Sequence, residues 1–179
     1  MAAGERIRLF CALQLPAGAV AQLAAWQQEH LSGGRFVPPE SLHVTLAFLG
    51  HRPASEVGSI EAELRAAAAA SHAPVELEPR RYRETRSVGM LVLDDRGGTG
   101  AALADELGGR LEGLGVYRRE ARPWLAHITV LRFRERPRLR PPLPPLGRVR
   151  AVRAALYRSA LGPGGARYDV LESVGLGGR

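Results

Sequence analysis

Ser41-Leu-His-Val-Thr-Leu-Ala-Phe-Leu-Gly50 and Ala126-His-Ile-Thr-Val-Leu-Arg-Phe133 are the two stretches on which the reading of this chain turns. Each carries the pattern apolar-His-apolar-Thr-apolar inside a short run of residues that favour strands. Side chains alternate across a strand with a period of two, so His43 and Thr45 share one face, as do His127 and Thr129. With 5 histidines and only four threonines in the chain, random order gives roughly 0.1 His-x-Thr triplets, and two arise in well under ~1% of shuffles. Chance is therefore a poor explanation. The histidines stand 84 residues apart in a chain of 179. Two such strands related by an approximate twofold would bring two imidazoles and two hydroxyls to one cleft.

Working outward, Arg8 to Leu15 reads as a largely buried strand that stops at Pro16, and Val20, Leu23, Ala24 and Leu31 recur at helical spacing until Ser32-Gly33-Gly34. Phe36 to Glu40 forms a turn into the first motif strand. After Gly50, Val57, Ile60 and Leu64 mark a second helix that continues through Ala66 to Ala70. Pro74 to Pro79 and Val88 to Leu93 read as strands, with Arg80-Arg81-Tyr82-Arg83 between them as a solvated loop. Thr99 is the expected N-cap of a third helix in which Leu103, Leu107, Leu111 and Leu114 share a face. Beyond the second motif, residues 136 to 147 hold too many prolines for a helix or a central strand and should cross the surface in extended form. Val149 to Leu161 and Ala166 to Leu176 make a hairpin around Gly162-Pro-Gly-Gly165, leaving Gly177 to Arg179 as a frayed end. So many adjacent strands favour an α+β fold with mostly antiparallel sheet over a doubly wound parallel one.

Composition narrows the partner more than the reaction. Apolar residues make up 45% and charged residues 24%, values of a globular rather than a disordered chain. The net charge of +7 favours anionic partners, nucleic acids among them. All 25 basic residues are arginine. Cys11 is the only cysteine, so no intramolecular disulfide and no Cys-based metal cluster is available, and its apolar surroundings suit a core position. The N-terminal residues lack the layout of a secretory signal, and no run approaches a membrane span, so a cytoplasmic protein is expected.

Two histidines with ordinary pKa values near ~6.5 can hold opposite protonation states near neutral pH, one giving and one taking a proton across a phosphorus centre. Thr45 and Thr129 can donate to non-bridging oxygens, and Arg132 can neutralise developing charge. A zinc site would need further ligands, and neither motif contains Cys, Asp or Glu. A serine hydrolase is disfavoured by the lack of a Gly-x-Ser-x-Gly element.

At these residues the sequence resembles the 2H phosphoesterase superfamily, defined by two H-x-[ST]-x motifs, and within it the RNA 2′,3′-cyclic phosphodiesterases once described as 2′-5′ RNA ligases. The likeness includes Arg8-Leu-Phe10, the segment from Phe36 to Gly50, the second motif with Arg132, and the closing stretch from Leu156 to Tyr168. It implies one bilobal domain over residues 1–179, with two antiparallel sheets lining a central cleft and no cofactor or metal. It further implies that His43 protonates the leaving 3′ oxygen while His127 activates water, leaving an RNA 2′-phosphate. Phe48 matches a position where related enzymes stack the terminal base, although a core phenylalanine fits equally. Two departures stand out: Ala126 replaces the proline of the usual Arg-Pro-x-x-Pro-His run, and Ser87 to Asp94 lacks a tryptophan often found there. A monomer acting on RNA ends, without membrane contact, is the expected form. Binding of RNA ends without turnover remains open, as do small cyclic nucleotides, 2′-5′ linkages and joining of tRNA halves.

Overall fold

A computed structural model describes residues 4–177 of the chain. Its strands are β1 (Arg6–Gln14), β2 (Arg35–Phe36), β3 (His43–Pro53), β4 (Val75–Glu84), β5 (Val88–Asp95), β6 (His127–Arg132), β7 (Val149–Ala151), β8 (Arg153–Gly162) and β9 (Gly165–Gly175), and its helices α1 (Ala17–His30), α2 (Val57–Ala70) and α3 (Thr99–Gly113). Every paired strand is antiparallel, in the order β7-β4-β5-β6-β3-β1-β8-β9, with β2 added alongside β6. The result is the mixed α+β fold with antiparallel sheet that the many adjacent strands predict, the two expected sheets being the halves of one continuous curled sheet. Between β3 and β6 the pairing is confined to Val44 opposite Ile128. These are the same position of the two His-x-Thr motifs, so the approximate twofold passes between them. On one side of this junction lie β3, β1, β8 and β9; on the other lie β6, β5, β4 and β7.

The helices cover one face of the sheet and leave the other open. Leu23 and Trp26 of α1, Ile60, Leu64 and Ala67 of α2, and Leu103, Leu107 and Leu111 of α3 meet Leu9, Cys11, Leu13, Val44, Leu77, Leu91, Ile128 and Val130 of the strands in one core. Each fully buried leucine contributes about 1.5–3 kcal/mol. On the opposite face a small cluster of Phe10, Ala12, Ala155 and Tyr157, with Tyr168 against it, lies beside the first motif. Cys11 is fully buried, as its apolar neighbours suggest. Among the described residues no helix is long and apolar enough to cross a membrane.

Several local expectations are corrected. Arg80 to Arg83 form no loop but extend β4, pairing with β5 as far as Glu84 opposite Gly89. Alternation hides such a strand when its outward residues are arginines on both sides of a tyrosine. Thr99 is the first residue of α3 rather than its cap. The cap position belongs to Gly98, at φ 70°, and the Asp95 carboxylate accepts the N–H groups of Gly100 and Ala101. Leu114 lies past the end of α3 and is exposed. The strand expected from Val149 to Leu161 breaks at Val152, so β7 joins β4 while β8 joins β1 at the far side of the sheet. The hairpin closes through Pro163-Gly164, with Gly162 opposite Gly165. The connection from Phe133 to Arg148 forms no helix or strand, as its prolines require, and Trp26 holds it by donating from Nε1 to the Pro142 carbonyl at 2.9 Å. The frayed end expected from Gly177 to Arg179 lies, beyond Gly177, outside the described residues.

Candidate active site

The two motifs adopt the same local structure. In both, the histidine and threonine are partly exposed, the intervening apolar residues are buried, and the sixth residue is exposed. Strict alternation would instead place Ala47 and Leu131 on the open face, with Phe48 and Arg132 in the core. A β-bulge in each strand reverses this. Opposite β1, the register jumps from Ala12–Thr45 to Cys11–Ala47 and leaves Leu46 unpaired; opposite β5, it jumps from Met90–Thr129 to Gly89–Leu131 and leaves Val130 unpaired. The extra residue shifts the phase, so Phe48 and Arg132 turn out of the core beside the histidines. Phe48 is therefore not a core residue: it is 49% exposed, and the Arg8 guanidinium lies over its ring, 4.8 Å from the centroid.

Each histidine is oriented by the carbonyl two residues before it. His43 Nδ1 lies 2.7 Å from the Ser41 carbonyl, and His127 Nδ1 lies 2.9 Å from that of Leu125. A carbonyl oxygen only accepts, so both Nδ1 atoms carry the proton and both Nε2 atoms are free to exchange one. The Thr45 hydroxyl donates to His43 Nε2 at 3.1 Å. His43 is packed among Phe10, Tyr157 and Tyr168, with ring centroids 4.9, 6.1 and 5.4 Å away. Loss of water in this aromatic surround, reinforced by the charges of His127 and Arg132, pulls its pKa from 6.5 down to about 4; the Ser41 hydrogen bond opposes the drop. The same electrostatics show that Arg132 and His127 share a field with His43.

A cavity of about 550 Å³ runs from Thr45 and Phe48 past His127 to the 117–125 segment and the first turns of α3. Two residues outside the motifs support the site, Trp124 in the cavity wall and Gln27 behind the second motif. Trp124 donates from Nε1 to the Thr45 carbonyl at 2.9 Å, tying the approach to the second motif onto the first. Its ring packs against Gly100 so closely that a Cβ there would lie 2.8 Å from Cζ3. Gln27 is the other, a buried amide on α1 that donates to the carbonyls of Val37 and Val130 at 3.0 and 2.7 Å. Since Val37 N–H also donates to the Val130 carbonyl, the second bulge is held by two donors. A polar residue at a helical position facing the core is the signal that marks Gln27 in the sequence. Trp124 lies between two motif landmarks, Pro123 and His127, without any periodicity to mark it.

Comparison with known proteins agrees with this geometry. The family model described as LigT like phosphoesterase matches residues 13–79. An RNA 2′,3′-cyclic phosphodiesterase of Thermus thermophilus is 34% identical over 189 aligned positions, spanning 96% of this chain and 91% of that one. The crystal structure of E. coli LigT in apo form superposes with a TM-score of 0.79 at 27% identity, covering 97% of this chain and 99% of that one. A Thermus thermophilus crystal structure gives 0.81 at 32%, covering 96% and 99%. E. coli LigT is also known in complex with phosphate and with 3′-AMP. With two twofold-related His-x-Thr strands and a relative of this identity along nearly its whole length, the chain belongs to the LigT-like phosphoesterase family.

Proposed function

We propose that this protein hydrolyses 2′,3′-cyclic phosphates at RNA ends to 2′-phosphates. The observation that carries the reading is the pair of imidazoles on twofold-related strands, each with Nδ1 fixed on a carbonyl and Nε2 left to exchange a proton. Its relatives support the substrate: one is an RNA 2′,3′-cyclic phosphodiesterase and another binds phosphate and 3′-AMP. In this scheme His127 Nε2 takes a proton from water as its oxygen attacks phosphorus. The bond to the 3′ oxygen breaks as His43 Nε2 gives that oxygen a proton. Thr45 and Thr129 donate to the non-bridging oxygens, Arg132 offsets the charge of the five-coordinate state, and Phe48 stacks on the terminal base.

Because burial holds His43 neutral at pH 7, the donor proton is taken up from solvent as the anionic substrate binds. Once bound, that anion offsets the charge of Arg132 and favours the imidazolium. Protonation then removes the acceptor of the Thr45 hydroxyl, which is released to the phosphate. The whole chain acts as one bilobal domain, monomeric and cytoplasmic, with RNA ends as its partner. Its net charge of +7 suits that partner, as does a cleft between halves that meet at one residue pair.

The test is turnover of an oligonucleotide ending in a 2′,3′-cyclic phosphate, with chelator present and the product end identified. Wild-type protein should yield the 2′-phosphate, and His43→Ala and His127→Ala should each lose at least ~10²-fold in kcat. Undiminished turnover in both variants would refute the mechanism.

A further inference from the structure

Two basic stretches that the catalytic scheme does not use, Arg80 to Arg83 on β4 and Arg136 to Arg140 on the proline-rich connection, meet at one place. A second cavity, of about 490 Å³, is lined by Arg83, Arg136, Arg138 and Arg140 together with Tyr82, Glu84 and Leu139. Glu84 builds it. Its carboxylate, with only 2% of the side chain exposed, accepts the backbone N–H groups of Arg138 and Leu139 at 2.9 and 2.8 Å and pairs with Arg136 Nε at 3.1 Å. Arg138 is held at φ 58°, the one positive value among the described non-glycine residues. That backbone turn aims two successive N–H groups at Glu84. The carboxylate is thus fully engaged, while among the described residues Arg83, Arg138 and Arg140 join no ion pair.

This pocket adjoins the catalytic cleft. The register places Arg83, Met90 and Thr129 in one row across the open face, and Arg81, Val92 and His127 in the next. Two strand spacings, about 10 Å, separate β4 from the second motif. β7 pairs only with Val75 to Leu77 of β4, leaving the stretch from Arg80 to Glu84 as a free edge. Tyr82 and Glu84 point to the opposite face from Arg83, yet Arg83 borders both cavities. A strand leaving the cleft over this edge passes from one basic surface to the other.

We propose that the pocket formed by Arg83, Arg136, Arg138 and Arg140 binds backbone phosphates of the RNA strand upstream of its terminal cyclic phosphate, giving oligonucleotide ends preference over mononucleotides. Guanidinium groups without carboxylate partners suit phosphate oxygens, and the stiff proline-rich connection holds two of them in place before binding. The inference rests on the hydrolytic reading for its RNA substrate.

The experiment compares a 2′,3′-cyclic mononucleotide with a decanucleotide ending in the same group, using wild type, the double variant Arg138→Asn/Arg140→Ala and the single variant Arg140→Glu. Asparagine tolerates the backbone of position 138. Expected results are a loss of about tenfold in kcat/KM on the decanucleotide in the double variant and unchanged kcat/KM on the mononucleotide. The slope of log affinity for the decanucleotide against log salt, read by fluorescence anisotropy, should fall by about 1.4 for two lost phosphate contacts. Unchanged decanucleotide kinetics and slope in both variants, or equal losses on both substrates, would overturn the proposal. Failure of the wild type to turn over either substrate would overturn the hydrolytic reading alone, since the anisotropy slope still tests the pocket.

Discussion

A proton should enter the cleft together with an anion, and sulfate, which does not itself titrate in this range, can show it. His43 sits among Phe10, Tyr157 and Tyr168 with a pKa pulled down to about 4. Returning it to its ordinary 6.5 takes about 3 kcal/mol. A charge at about 4 Å in surroundings of effective dielectric ~20 supplies about 4 kcal/mol, so one bound anion suffices. By linkage, sulfate affinity should then rise by about fifty- to a hundredfold as pH falls from 7 to 4.5, with uptake of about one proton. Calorimetric titration in buffers of different ionisation enthalpy measures both, and His43→Gln should remove that uptake. Sulfate affinity that is flat with pH, or a slope unchanged in His43→Gln, would refute the reasoning. A His43 that stayed neutral beside an anion would fit a proton acceptor and not a donor.

The same titration has a stability consequence. Between pH 6.5 and 4 the unfolded chain binds a proton at His43 that the native chain does not, so stability is lost on acidification through that window. The loss specific to His43 is at most about 3 kcal/mol, and urea unfolding at pH 7 and pH 4 should show a smaller difference for His43→Gln than for wild type. Gln27→Leu withdraws a buried donor from the Val37 and Val130 carbonyls and should cost about 2–4 kcal/mol in chemical denaturation, with a fall in kcat as the bulge behind Arg132 loosens. Gly100→Ala drives a methyl into Trp124 and Val75. It should destabilise by about 1–3 kcal/mol and, by moving the Trp124 bond to Thr45, lower kcat more than it raises KM. Glu84→Ala leaves the N–H groups of Arg138 and Leu139 and the Arg136 guanidinium without their acceptor. A loss of about 3 kcal/mol in thermal unfolding is expected.

What the sequence disclosed was whatever depends on period and punctuation. Ile60 with Leu64, and Leu103, Leu107 and Leu111, lie on buried helix faces at the spacing that announced them, and His43 and His127 come to one junction of the sheet because each stands on a strand of a repeated unit. What stayed hidden depends on partners distant in sequence. β4 runs on through Arg80 to Arg83 because β5 offers it a ladder as far as Gly89, and charged residues on an edge are compatible with either loop or strand. The cap of α3 comes from Asp95, reaching forward across two glycines, rather than from the better-placed Thr99. The break at Val152 carries one run of residues to opposite halves of the strand order, β7 beside β4 and β8 beside β1.

The bulges show most clearly where pattern fails and why it matters for the site. A period of two, read strictly from His43, buries Phe48; read strictly from His127, it buries Arg132. One unpaired residue at Leu46 and one at Val130 undo both conclusions in the same way, so the error is itself twofold symmetric. The symmetry then ends at the side chain. The two motifs supply matching histidines and threonines, but at the position after each bulge one supplies an aromatic ring and the other a guanidinium. A cleft that were alike on both sides would accept a cyclic phosphate in either sense, with the 2′ or the 3′ oxygen toward His43. An exposed ring able to stack on a base on one side and a guanidinium able to offset charge on the other would favour one sense. In the proposed reaction the repeated part of the motif therefore performs the proton transfers, while the unlike residues after the bulges fix which ester bond is broken. Exchanging their chemistry, as Phe48→Arg with Arg132→Phe, should reduce turnover and erode the preference for a 2′-phosphate product. A double variant that kept both rate and regiochemistry would show that orientation is set elsewhere in the cleft.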